Sequence, residues 1–178
     1  MRIFFALDLP EAQRDALALR QAMLPLPRRV NPEDFHLTLA FLGELPDAQI
    51  EAAHEAAQRV RAAAFTLTVA DLGLFGGEKP RLAWAGVLPC PELDDLAARL
   101  CAALRHAGIE LEARRFNPHI TLGRFWRLPP PEKMRLERAV AETSFRLDPF
   151  PVKDFAMFRS HLGVETGRYE VLMRYPLG

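Results

Sequence analysis

Apolar and polar positions change period several times along this chain, and each change marks an element. Residues 2–9, "RIFFALDL", are dense in Phe, Ile and Leu and predict a buried strand. Pro10 and Glu11 then open a helix over 10–23, since proline suits the first helical position. "LPLPRRVNPEDF" reads as a proline-punctuated loop, and residues 35–42 as a second strand. Asp47 can cap a helix running to Ala63. A strand over 65–75, a "GGEKP" turn and an alternating strand over 81–87 follow. Pro91 to Ala107 carries a strong helical pattern stopped by Gly108. Residues 109–112 suggest a short edge strand, and "NPHITLGRF" returns to strand period. "LPPPEKMRLERAVAET" enters a last helix, and "FPVKDFAMFRS" and "RYEVLMRYPL" close the chain as two strands around a glycine-containing turn. This order contains the β-α-β-β-α-β unit of a split sheet, and fragments of the unit occur twice.

With 178 residues the chain has room for one domain, or for two small lobes sharing a core. Its 49% hydrophobic and 26% charged residues are ordinary for a soluble globular protein. Lys+Arg and Asp+Glu stand at 23 each, so binding nucleic acid by bulk positive charge is excluded and any such contact has to be local. Cys90 and Cys101 lack metal-site spacing and read as reduced thiols. No apolar run approaches the length of a membrane span, and "MRIFFALDLP" lacks the features of a cleaved signal. A cytoplasmic location and a monomer are the expectations, with no membrane, metal or cofactor.

The candidate chemistry lies in a repeated motif. "HLTL" begins at His36 and "HITL" at His119, one in each half. Side chains on a strand alternate faces, so His36 shares a side with Thr38 and His119 with Thr121, while the Leu and Ile positions can enter a core. Imidazole is the side chain best matched to proton transfer near neutral pH, and a hydroxyl can donate to an anionic oxygen. One such pair is more often structural than catalytic, and both strands have ordinary packing sequences. Two pairs facing each other would frame one polar cleft suited to in-line displacement at phosphorus. One His would act as base, the other as acid, and the threonines would hold the equatorial oxygens.

The paired motifs, together with "RIFFALDLP", "HLTLAFLGEL", "KPRLAWAGV", "FNPHITLGRF" and "SHLGVETGRYEVL", resemble the 2H phosphoesterase superfamily. Within it the chain is most similar to the RNA 2',3'-cyclic phosphodiesterase, or 2'-5' RNA ligase, family. The resemblance runs nearly the whole length. It implies an α+β fold of two pseudo-symmetric lobes of antiparallel sheet, helices on the outer faces and a central groove, all within a single bilobal domain over 1–178. It implies metal-independent hydrolysis of an RNA 2',3'-cyclic phosphate end, or of a cyclic nucleotide, to a 2'-phosphate. His36 would be the acid and His119 the base, although the two motifs are written in the same letters. Joining of tRNA halves through 2'-5' ends, action on ADP-ribose 1",2"-cyclic phosphate and a non-catalytic RNA-end binder remain alternatives.

Further substrate-binding positions are Arg124 and Phe4. Arg124 matches the family pattern as a phosphate ligand, but strict alternation puts it on the leucine side, so a bulge or strand end is needed to turn it. The other reading is a solvent salt bridge. Phe4 shares the face of Arg2 and offers either an exposed ring for a base or a core ring under a helix. Trp84 fits a core better than a groove. His54 and His106 are expected to face solvent on helices, and His161 to sit in a surface loop. Arg28, Arg29, Arg114 and Arg115 supply local positive charge for guiding phosphates.

Overall fold

The computed structural model describes residues 1–113, 115–161 and 169–178. Seven strands form one antiparallel sheet. The first, β1 (Arg2–Asp8), leads through α1 (Glu11–Met23) and a 3-10 turn at Pro32–Asp34 to β2 (His36–Glu44). After α2 (Asp47–Gln58) come β3 (Phe65–Leu67), β4 (Val69–Phe75) and β5 (Leu82–Val87). The chain continues through α3 (Pro91–His106), β6 (Ile120–Arg124), α4 (Pro130–Glu142), β7 (Phe150–Val152), β8 (Asp154–Ser160) and β9 (Tyr169–Pro176). The order across the large sheet is β4-β5-β6-β2-β1-β8-β9, and β3 pairs with β7 in a separate two-stranded sheet.

The large sheet is two half-sheets joined by a narrow seam. Among the described residues β2 and β6 meet through one register pair, Leu37↔Ile120. Each half is bound far more extensively within itself, β2 to β1 to β8 to β9 on one side and β4 to β5 to β6 on the other. Each half also sheds a short strand at a single residue. Thr68 separates β3 from β4, and Lys153 separates β7 from β8. The single strands expected over 65–75 and in "FPVKDFAMFRS" are therefore each two.

One sheet face carries the main core. Ile3, Phe5 and Leu7 of β1, Leu37 and Leu39 of β2, and Ile120 and Leu122 of β6 lie in it with Leu17 of α1, Ala53 and Ala57 of α2, and Leu93, Leu96 and Leu100 of α3. These residues are buried apolar side chains spaced by two on strands and by three or four on helices, which is what a helix-covered sheet face requires. On the other face a small cluster of Phe4, Ala6, Ala156 and Phe158 gathers Phe41 and Tyr169 around it.

Two boundaries differ from the sequence expectation. The helix expected to reach Ala63 stops at Gln58, where the Arg61 guanidinium donates to the Gln58 and Val60 carbonyls and turns the chain away. Residues 109–112 form no strand. Gly108 takes a left-handed φ of 79°, its N–H donates to Arg105 O, and the Ile109 N–H donates to Leu104 O. That is a Schellman closure of α3, and it buries Ile109 against the helix end. The glycine-containing turn before β9, and Arg114, lie outside the described residues.

Candidate active site

The seam between the half-sheets sets the geometry of both motifs. Leu37 and Ile120 are each 1% exposed and point into the main core. Counting one residue outward from their antiparallel pair puts His36 opposite Thr121 and Thr38 opposite His119, all four on the other face. Each imidazole therefore faces the hydroxyl of the other motif. The two histidines are diagonal neighbours, a relationship that spans about 7–8 Å between antiparallel strands. That span can hold a phosphoryl group between two ring nitrogens.

Both rings are tethered in the same way. His36 Nδ1 lies 2.7 Å from the Asp34 carbonyl oxygen, and His119 Nδ1 lies 2.8 Å from the Asn117 carbonyl oxygen. A carbonyl only accepts, so each Nδ1 carries a hydrogen, and Nε2 is the nitrogen that gains and loses the working proton. The Asp34 carbonyl is positioned by the 3-10 turn, whose start is capped by the Asn31 side chain accepting from the Glu33 N–H.

Aromatic rings buttress both imidazoles. His36 lies 4.8 Å from the rings of Phe4 and of Tyr169, and 6.3 Å from Phe158. Phe75 meets His119 edge-on at 5.0 Å and Trp84 at 5.1 Å. Burial among these rings is the main reason that the His36 pKa falls from 6.5 to about 4; the charges of Arg124 and His119 push the same way. The Asp34 carbonyl and the Asp8 carboxylate oppose the fall and are outweighed.

Arg124 reaches this face through a bulge. In the β5–β6 ladder Ala83 pairs with Gly123 but Trp84 pairs with Thr121, so Leu122 is the extra residue. The alternation slips by one. Arg124 then shares the face of Leu82, Trp84 and Thr121 and leaves that of Ala83, which is buried in the main core. The bulge is secured from outside. The Leu122 carbonyl accepts from the Val30 N–H at 2.9 Å and from Gln21 Nε2 at 2.7 Å, and the same Nε2 donates to the Val30 carbonyl at 2.7 Å. Gln21 is thus a buried polar residue that clamps α1, the loop and β6 together. Gly123 has no room for a side chain, because a Cβ there would lie 2.9 Å from the Arg28 carbonyl oxygen.

A cleft of about 300 Å³ opens where these parts meet. His36, Thr121 and Arg124 line it with Arg28, Arg29, Asn31, Asp34 and Tyr169. Thr38 and His119 lie one row further along the seam and are not part of that lining. Of the guiding arginines, Arg28 and Arg29 stand at the cleft, with Arg29 also donating to the Leu24 carbonyl at the end of α1. Arg115 is exposed before β6.

Phe4 is not an open stacking surface. It is 3% exposed, with Phe158 stacked on it at 5.2 Å and His36 and Tyr169 against its remaining sides. Its parity was as expected, but neighbours from β8 and β9 cover it. Trp84 faces the groove side opposite Thr121 and is partly accessible, contrary to a core placement. Gly73 makes this possible, since a Cβ there would run into the indole. His54 does not simply face solvent, for its Nδ1 lies 2.8 Å from the Tyr175 hydroxyl. His106 is exposed at the end of α3, and His161 pairs with Glu170 at 2.8 Å. Sequence reasoning missed Gln21, Phe75 and Tyr169. A lone glutamine on the apolar stripe of α1 was the one local signal, since a buried amide has to be hydrogen-bonded. Among the described residues no group of three or more His, Cys, Asp or Glu is placed to hold a metal ion, and no helix is long and apolar enough to cross a membrane.

Comparison with known proteins gives the class to which this α+β scaffold belongs, that of the phosphoesterases. A family profile described as "2'-5' RNA ligase superfamily" matches residues 9–163, and the chain belongs to that family. A protein of Escherichia coli K12 named RNA 2',3'-cyclic phosphodiesterase is 33% identical over 99% of this chain and 96% of its own length. One of Geobacillus stearothermophilus with the same name is 32% identical over 98% of this chain, which spans only 56% of that relative. The crystal structure of E. coli LigT complexed with 3'-AMP superposes with a TM-score of 0.81 at 31% identity, covering 99% of this chain and 97% of that one. The protein is accordingly an enzyme, and the relatives that match over its whole length are phosphodiesterases by name.

Proposed function

We propose that this protein hydrolyses the 2',3'-cyclic phosphate at an RNA end to a 2'-phosphate, without a metal ion. The observation that carries the reading is the pair of histidines on one face of the seam, each tethered through Nδ1 and each opposite a threonine hydroxyl. Water attacks phosphorus in line with the P–O3' bond. His119 Nε2 takes the proton from the water, and His36 Nε2 gives a proton to the departing O3'. The product carries a 2'-phosphate and a free 3'-hydroxyl. Thr38, Thr121 and the forked guanidinium of Arg124 hold the non-bridging oxygens as charge grows. Because the catalytic pair takes one histidine from each half-sheet, the chain acts as a single bilobal unit and needs no second copy.

The acid has to acquire its proton in the complex. In the open groove burial and Arg124 keep His36 neutral at physiological pH. A bound phosphate offsets the Arg124 charge and adds a negative neighbour, and both changes favour the imidazolium. Substrate binding thereby arms His36.

Incubation with an RNA ending in a 2',3'-cyclic phosphate, with and without EDTA, tests the reading. A 2'-phosphate product formed at equal rate in both is expected; a 3'-phosphate product or loss of activity with chelator overturns it. The family description also supports a parallel reaction, in which a 5'-hydroxyl takes the place of water and a 2'-5' link forms as O3' departs. An assay with tRNA halves measures it directly.

A further inference from the structure

We propose that Trp126 is the stacking platform for the base of the nucleotide preceding the cyclic end, so that the site favours an oligonucleotide terminus over a lone cyclic nucleotide. The proposal rests on the phosphodiesterase reading above and specifies its substrate.

Trp126 is 80% exposed. An indole left so open adds little to folding, because the hydrophobic gain comes with burial. The ring is nevertheless held. The Arg81 guanidinium lies over it, 4.6 Å from the centroid, and leaves the opposite ring face bare. The backbone holds the two residues together, since the Phe125 N–H donates to the Arg81 carbonyl at 2.9 Å and carries the β5–β6 ladder one step past Arg124. Phe125 packs against the main core. Arg124 ends β6 on the groove side, and Trp126 follows two residues on, at a bend just past the strand's end. Their Cα atoms are at most about 7 Å apart, close to the reach of one nucleotide.

The charge around Trp126 fits a polyanion carrying flat bases. The protein has no net charge, yet Arg28, Arg81, Arg124 and Arg127 gather at this end of β6. Arg28 is drawn in by its own backbone, whose carbonyl accepts from the Arg124 N–H at 3.3 Å. With the cyclic phosphate between His36 and Arg124, the RNA leaves from the 5' oxygen of the terminal ribose. Its first phosphodiester then passes the arginines, and the preceding base meets the bare face of Trp126. Stacking on an aromatic ring tolerates any base, so the subsite selects chain length and not sequence.

The test compares kcat/KM of the wild type, Trp126→Ala and Trp126→Phe on a 2',3'-cyclic mononucleotide and on a tetranucleotide with the same end. Trp126→Ala is expected to lose about five- to a hundredfold on the tetranucleotide, the range for one stacked base, and nothing on the mononucleotide. Trp126→Phe should keep most of the tetranucleotide rate. An equal loss on both substrates, or no loss on either, overturns the proposal. Binding of a 2'-phosphate-ended tetranucleotide, followed by fluorescence anisotropy, separates the subsite from the reaction. If the wild type hydrolyses neither substrate the phosphodiesterase reading fails, while weaker binding by Trp126→Ala still upholds the platform. Binding unchanged by Trp126→Ala removes it.

Discussion

The amide nitrogen of Gln21 lies 2.7 Å from the main-chain oxygen of Leu122, and this contact ties α1 to the bulge that turns Arg124 towards the histidines. The same nitrogen also serves Val30, so both amide hydrogens are spent on main-chain oxygens. Gln21→Leu should lower stability by about 1–3 kcal/mol, the usual cost of stranding a buried polar group. It should also lower kcat/KM by up to about a hundredfold as Arg124 loses its fixed position. Urea denaturation and steady-state kinetics measure the two effects; a destabilised variant with full activity would show that the bulge holds without the amide.

His36→Ala and His119→Ala are each expected to cost about 10²–10⁴ in kcat, the range for one acid or base, with circular dichroism unchanged. Both side chains lie partly open on the groove face, outside the main core. Retention of most activity by either variant would end the paired scheme.

The titration of His36 should depend on what fills the groove. NMR of its ring is expected to report a pKa of about 4 in the free protein. A 2'-phosphate product should raise that value, and so should Arg124→Ala, which removes a neighbouring positive charge. A value that stays put in both experiments would contradict the arming of His36 by substrate.

The same shift links folding to pH. His36 binds its proton less tightly when folded than in the unfolded chain, so the unfolded state holds more protons between pH 6.5 and about 4. Stability from this group is therefore complete above about pH 6.5 and falls as the solution is acidified through that window. His36→Gln should flatten this acid limb in melting curves taken from pH 7 to pH 4. An unchanged slope would assign the limb to other groups.

The aromatic supports should separate by burial. Phe4→Ala removes a buried ring and should cost about 3–5 kcal/mol as well as activity. Phe75 is only partly buried, so Phe75→Ala should lower kcat through a loosened His119 while changing Tm much less. Comparable melting shifts for the two variants would refute that division of roles.

Much of this molecule follows from local pattern. Strand parity puts His36 with Thr38 and His119 with Thr121, and the leucines and isoleucine between them enter the core. Helix starts at Glu11 and Pro91 and the stop at Gly108 are likewise written in neighbouring residues, because caps and periods depend on a few adjacent positions. The family resemblance is legible too, since both motifs are complete.

What only the tertiary structure decided is how separate segments register against one another. The bulge at Leu122 exists through its partners in β5, the Val30 loop and Gln21, and it alone puts Arg124 on the groove face. The seam pair Leu37↔Ile120 crosses the motifs so that each histidine meets the other's threonine. Phe4 is covered by Phe158 and Tyr169, and His119 is braced by Phe75, all of them distant in the chain. Periodicity records which face a side chain takes on its own strand. It carries no record of which remote strand lies beside it or where that partner slips by a residue, and those two facts bring the site together.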